Sequence, residues 1–261
     1  MAFPFKHVLM VGATAGIGAA MADRLVAEGV KVIAAGRRQD RLDAFVRKHG
    51  SDKASAARFD LSDSKNMDTF VSDVTKTYPD LDCVFLNAGV QSVFNLTEPE
   101  TFNPSTFHSE ILVNFSSFVD LTLKLLPFLK NKNSETGLIY TGSNLAIVPA
   151  ANLPAYSASK AALNAFVLCL REQLRDTSVK VIELSPPPVQ TELHDYMGEE
   201  KGRNLGMPVD KFTDIAYKGL VSGRDQIIIG AVGPEETFHE IVDKRRTAFE
   251  NLAKIMRVPQ M

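Results

Sequence analysis

Short apolar, β-branched runs alternate with helix-patterned stretches along nearly the whole chain, and this alternation limits the fold more than any other feature. The runs are His7–Val11, Lys31–Ala35, Ala54–Phe59, Leu81–Leu86, Gly137–Thr141, Val179–Leu184 and Gln226–Ile229. Helical periodicity occupies Ile17–Glu28, Asp40–Lys48, Ser64–Thr77, Pro104–Lys130, Ala155–Asp176 and Val209–Ser222. A strand followed by a helix returns to pair in parallel, so the order predicts a mostly parallel, seven-stranded sheet with helices on both faces. Cys83-Val-Phe-Leu86 is apolar at every position, as a central strand buried on both faces requires. No repeat or linker interrupts the 261 residues, so a single α/β domain over 1–261 is expected. The segment Glu235–Arg257 reads as one more helix, with Phe238, Ile241, Val242, Phe249, Leu252 and Ile255 as its apolar positions. Its Lys244-Arg-Arg246 cluster reads as a solvated face.

Composition narrows the function classes. A net charge of −2 argues against electrostatic nucleic-acid binding. The two cysteines, Cys83 and Cys169, lie in apolar runs, and the five histidines are scattered, so neither a disulfide framework nor a metal site is expected. Lys6 and His7 before the uncharged run Val8–Ala22 imitate a secretory signal. Glycines interrupt that run, however, and it continues into an amphipathic stretch closed by Gly29, so a retained strand, loop and helix explain it better. No run reads as a membrane span. A soluble, cytoplasmic protein is the expectation.

The loop Gly12-Ala-Thr-Ala-Gly16-Ile-Gly18 falls between the first strand and the first helix. An open α/β sheet receives a dinucleotide there, with the pyrophosphate against the helix N-terminus. Alone this is a moderate signal, but Asn87-Ala-Gly89 just after the fourth strand supplies a second small-residue loop at the same edge. Together they favour a doubly wound, Rossmann-type domain. The second strand runs into Gly36-Arg37-Arg38, where NAD recognition usually places a carboxylate on the ribose. Glycine removes it, and two arginines suit a 2′-phosphate, although they also read as solvated residues leading into the next helix. NADP is favoured over NAD. Asp60, ending the third strand, either accepts from the adenine amino group or caps the following turn.

Tyr156 and Lys160 lie four residues apart in one helical stretch, with Ser143 thirteen residues before the tyrosine. The phenol's ordinary pKa of about 10 makes it a poor acid or base. A lysine on the same helix face favours the phenolate and moves the group toward a useful range. Ser143 adds a hydroxyl for the same substrate oxygen. Glycine loop and hydroxyl pair together indicate hydride transfer.

These residues resemble the short-chain dehydrogenase/reductase family over nearly the whole chain. The family's active-site tetrad falls on Asn114, Ser143, Tyr156 and Lys160. The cofactor set that the resemblance implies is Gly12, Thr14, Gly16, Ile17, Gly18, Arg37, Arg38, Asp60, Leu61, Asn87, Ala88, Gly89, Tyr156, Lys160, Pro186, Val189 and Thr191. It further implies that Lys160 binds the nicotinamide ribose and lowers the phenol's pKa, while Asn114 anchors a water linking Lys160 to solvent. Ser185-Pro-Pro-Pro188 departs from the family's common Pro-Gly, and Pro187 lacks the amide that a glycine would offer. With Ala248-Phe-Glu-Asn-Leu252, this variant resembles the DltE-like branch.

The implied function is NADP(H)-dependent reduction of a ketone or aldehyde, reversible as alcohol oxidation. Leu145, Ile147, Val148 and Leu153, with Leu193, Tyr196, Met197 and Met207 in a lid over 190–208, suit a largely apolar substrate. Around Ala155–Arg175, Ala158, Ala161, Ala162, Ala165, Phe166 and Cys169 exceed what one sheet face needs, which with the resemblance points to a homodimer or homotetramer. A non-catalytic NADP-binding sensor or scaffold is the competing reading. Loss of Tyr156 or Lys160 would favour it, and both are present.

Overall fold

The computed structural model describes residues 2–257; Met1 and residues 258–261 of the expected domain lie outside the described residues. Seven strands form one sheet: β1 (His7–Val11), β2 (Lys31–Gly36), β3 (Ala54–Arg58), β4 (Cys83–Leu86), β5 (Thr136–Thr141), β6 (Val179–Ser185) and β7 (Gln226–Ile228). Their order is β3-β2-β1-β4-β5-β6-β7. Every pairing is parallel, as in Val8 opposite both Val32 and Cys83.

The helices are α1 (Gly16–Ala27), α2 (Gln39–His49), α3 (Met67–Thr77), α4 (Pro104–Ile111), α5 (Ser117–Lys130), α6 (Pro154–Gln173), α7 (Glu199–Arg203), α8 (Val209–Val221) and α9 (Glu235–Met256). The period of two along each strand sorts the core into two layers. Val8, Met10, Val32, Ala34 and Phe85 face α1, α2 and α8 through Leu25, Phe45 and Phe212. Leu9, Val11, Ile33, Val84, Leu86 and Leu138 face α3, α5 and α6 through Phe70, Leu125 and Val167. Each fully buried leucine of these layers contributes roughly 1.5–3 kcal/mol.

Some elements differ from the sequence expectation. The stretch expected as one helix over 104–130 has a π turn, Leu112–Ser116, between α4 and α5. By length and composition, Pro104–Lys130 could cross a membrane, with a mean hydropathy of 1.4 in its most apolar window. In the fold, Phe118, Leu121, Leu125 and Leu129 lie buried in the second layer. The segment 190–208 has structure of its own, with a 3-10 stretch Glu192–Met197 followed by α7.

In α9 only Phe238 and Val242 are buried, while Ile241, Leu252 and Ile255 are exposed. Of the basic cluster there, Lys244 is exposed as expected, but the two arginines are not a free solvated face. Arg245 donates to Asn164, and Arg246 pairs with Asp225 at 2.9 Å and Glu250 at 2.6 Å, fastening α9 to α6 and the approach to β7.

Candidate active site

β1 and β4 are neighbours, yet the chain leaves them toward opposite faces of the sheet, to α1 and to α5. The loops beyond their carboxyl ends diverge, and a crevice opens at this switch point. It encloses about 530 Å³. Arg37, Arg38, Asp60 and Leu61 line one end, Ser143, Tyr156 and Lys160 the other, and Gly12, Thr14, Gly16, Ile17 and Asn87–Gly89 the stretch between. Pro186, Val189 and Thr191 also border it. Of the expected site residues, only Gly18 and Asn114 stand back from this surface.

Gly12 turns the chain with φ at +90°, and a Cβ there would lie 2.6 Å from the Ala88 backbone, so the two loops meet only because this residue lacks a side chain. Asn87 then joins three strand ends: its amide nitrogen donates to the Val11 carbonyl at 3.0 Å, and its side-chain oxygen accepts from Thr141 at 2.9 Å. α1 begins in this crevice with no acidic residue in its first turn, which leaves its amides and dipole to an anion.

At the arginine end, Gly36 does more than remove a carboxylate. A Cβ on it would lie 2.7 Å from the Thr14 methyl group. Thr14 in turn accepts from the Arg38 guanidinium at 3.1 and 3.0 Å. Glu192, from the 190–208 segment, accepts from Arg38 at 2.8 Å and from Arg41 at 2.7 Å. Neither Glu192 nor Arg41 stood out in the sequence, because their partners are over 150 residues apart. Arg37 is exposed. Asp60 caps the turn, accepting from the Ser62 amide at 2.9 Å and hydroxyl at 2.8 Å. Partial burial would raise its pKa, but Ser62 and the Arg37 charge outweigh that and hold it low.

At the other end, α6 carries Tyr156 and Lys160 into the crevice, both of them buried. Lys160 Nζ donates to the Thr141 carbonyl at 2.8 Å and lies 5.7 Å from the centre of the Tyr156 ring. Without a cofactor, burial dominates both groups. Burial pushes Tyr156 up to about 12, with Ser143 opposing and Glu110 and Tyr196 adding to the rise. Burial also takes Lys160 down to about 8, against the attraction of Glu183. Desolvation wins at both residues because each charged form has lost its water.

Asn114 sits in the π turn, a distortion common where a helix serves a site. Its side-chain oxygen accepts from the Val90 amide at 2.8 Å, and its nitrogen donates to the Val90 carbonyl at 2.9 Å and to Ser159 at 3.2 Å. Through its side chain Asn114 thus clamps the loop after β4.

Of the expected apolar wall, Leu145, Leu193 and Tyr196 line the crevice. Met207 packs instead against the first core layer, and Leu153 is buried at the start of α6. Polar side chains take part of that wall: Gln91, Ser109, Asn144 and His194. Gln91 lies two residues after the Asn87-Ala-Gly89 loop, and its place in the chain is the one signal that could have found it. Pro187 borders the crevice and lies toward Gly230 beyond β7.

The family model described as short chain dehydrogenase matches residues 6–202. The chain belongs to the short-chain dehydrogenase family. This short-chain dehydrogenase is 34% identical over 223 residues to the uncharacterized oxidoreductase DltE of Bacillus subtilis, an alignment covering 84% of this chain and 86% of that protein. It is 26% identical over 219 residues to an (S)-benzoin-forming benzil reductase of Saccharomyces cerevisiae, covering 82% of this chain and 83% of that one. Among solved structures, a short-chain dehydrogenase from Sphingobium yanoikuyae in complex with NADPH superposes with a TM-score of 0.82 at 20% identity, over 98% of both chains.

Proposed function

We propose that this short-chain dehydrogenase is an NADP(H)-dependent carbonyl reductase, converting a small ketone or aldehyde to the alcohol and reversible in principle. One observation carries the reading: a single crevice joins an arginine pair at the end of β2 to Ser143, Tyr156 and Lys160. The NADPH of the Sphingobium neighbour and the NADP+ of a serine dehydrogenase, whose structure superposes with a TM-score of 0.76 at 26% identity, support the choice of cofactor.

Thr14, Arg37 and Arg38 would hold the 2′-phosphate end, the first turn of α1 the pyrophosphate, and Lys160 with Thr191 the nicotinamide end. The bound cofactor supplies the hydride. Ser143 donates a hydrogen bond to the substrate oxygen and fixes the carbonyl beside Tyr156. With its pKa pushed up to about 12, Tyr156 keeps its proton at neutral pH and is set up as a donor. As the substrate oxygen becomes an alkoxide, Tyr156 transfers that proton to it, and Lys160 stabilises the phenolate left behind.

Mixing the protein with NADPH and a ketone and aldehyde panel tests this by loss of nicotinamide absorbance. A sensor or scaffold would bind the cofactor and leave it unconsumed. We further propose that the protein works in the reducing cytoplasm, as its two free cysteines suit, and as a homo-oligomer through α6. Supporting the latter, Ala158, Ala165 and Cys169 are exposed on that helix and Phe166 is half-buried.

A further inference from the structure

Among the described residues, six buried side-chain polar atoms have no hydrogen-bond partner, and four belong to three residues: Gln91 Oε1, both carboxylate oxygens of Glu110, and His194 Nδ1. Gln91 and His194 line the crevice beside Tyr156, as do Ser109 and Tyr196. Glu110 is 1% exposed and follows Ser109, one helical turn before Asn114. Folded proteins pair such atoms because an orphaned acceptor away from water is costly. Leaving four together, next to the proton donor, fits a wall made to meet a ligand group. Burial raises the Glu110 pKa; Ser92 opposes the rise, yet neither oxygen completes a hydrogen bond. The Glu110 charge also raises the pKa of the Tyr156 and Tyr196 phenols, one on α6 and the other in the 190–208 segment.

We propose that Gln91 and His194, backed by Glu110, form a subsite for a hydroxyl group carried one or two carbons from the substrate's carbonyl. The inference rests on the carbonyl-reductase reading and names its substrate class, a hydroxyketone or hydroxyaldehyde. A hydroxyl fits better than an ammonium group, because Lys160 already places one cation in this crevice. A hydroxyl also both donates and accepts, so it satisfies Gln91 and either tautomer of His194. Leu145 and Leu193 supply the apolar remainder of the wall.

The test pairs each hydroxyketone with its methyl isostere: acetoin with 3-methylbutan-2-one, and 4-hydroxybutan-2-one with pentan-2-one. The ratio of kcat/KM within each pair is measured with NADPH for the wild type, Gln91→Met and Glu110→Met. The wild type should favour the hydroxylated member of at least one pair by about tenfold or more, and either variant should lower that ratio by about fivefold, since a lost buried hydrogen bond acts on one member alone. Comparison across variants cancels the intrinsic reactivity of the ketones. No wild-type preference in either pair, or ratios unchanged in both variants, would overturn the subsite. Calorimetric affinities of the same ketones for the NADP+ complex repeat the comparison without turnover. Failure to reduce any ketone would thus count against the carbonyl-reductase reading, while the affinity ratio still decides the subsite. Preferential gain with 1-aminopropan-2-one over both hydroxyketones would assign the pocket to an amine and refute the hydroxyl.

Discussion

Lys160 and Tyr156 lie on one helix face, and burial moves their proton affinities in opposite directions. Between pH 8 and the lysine's ordinary value of 10.5, the folded protein binds fewer protons at Lys160 than the unfolded chain does, so the stability contribution of this residue rises with pH across that window. Tyr156 holds its proton in the folded state from its ordinary 10.0 up to about 12, so its contribution falls as pH rises through that range. Lys160→Met keeps the bulk of the chain and removes the charge. Its stability relative to wild type should be most favourable near pH 7 and lose on the order of 3 kcal/mol of that advantage by pH 10.5. Urea melts at intervals over that range measure it, and a pH-independent difference would mean that Lys160 titrates normally. For Tyr156→Phe, the ring and its packing remain while the proton donor disappears. Turnover should fall by about 10²-fold or more with NADPH affinity within about threefold of wild type; retained turnover in the folded, NADPH-binding variant would assign the proton to another group. Tyr156, Lys160 and Ser143 were legible in the sequence because helix periodicity brings two of them together and the third lies just beyond a strand. The depth of their burial was not, since it depends on how distant segments pack around them.

At the scale of elements, the strands were readable because continuous apolar runs admit little else, whereas contacts between distant segments were not. The Glu192 pair is the clearest case. The carboxylate crosses from the 190–208 segment to the arginines that begin α2, and it occupies the Arg38 guanidinium where a 2′-phosphate would bind. Each of these part-exposed ion pairs is worth about 1 kcal/mol or less. Glu192→Gln should therefore tighten NADPH binding by about three- to tenfold and change NADH binding less, whereas Arg38→Ala should weaken NADPH more than NADH. Fluorescence titration of both nucleotides reads this directly. Weaker NADPH binding by Glu192→Gln would mean that the carboxylate orients Arg38 rather than competing for it. The π turn at Asn114 was equally hidden, because the sequence over 104–130 is simply that of a long apolar helix.

For the molecule as a whole, α6 has two working faces: the inner one carries Tyr156 and Lys160, and the outer one leaves Ala158, Ala165 and Cys169 exposed. Close packing of two such small-residue faces across a two-fold axis would build a dimer directly behind the site. Light scattering at micromolar concentration should give at least twice the 28.6 kDa chain mass, and Ala165→Arg should shift it to the monomer. A monomeric wild type would refute the assembly. The exposure of Cys169 gives that assembly a chemical clock. Cys83 is fully buried and Cys169 is open, so a thiol reagent meets one accessible sulfur per chain, one helical turn beyond Ala165 on the face in question. Its labelling rate should slow as protein concentration rises, and the half-point of that slowing reads the association constant without any knowledge of the substrate.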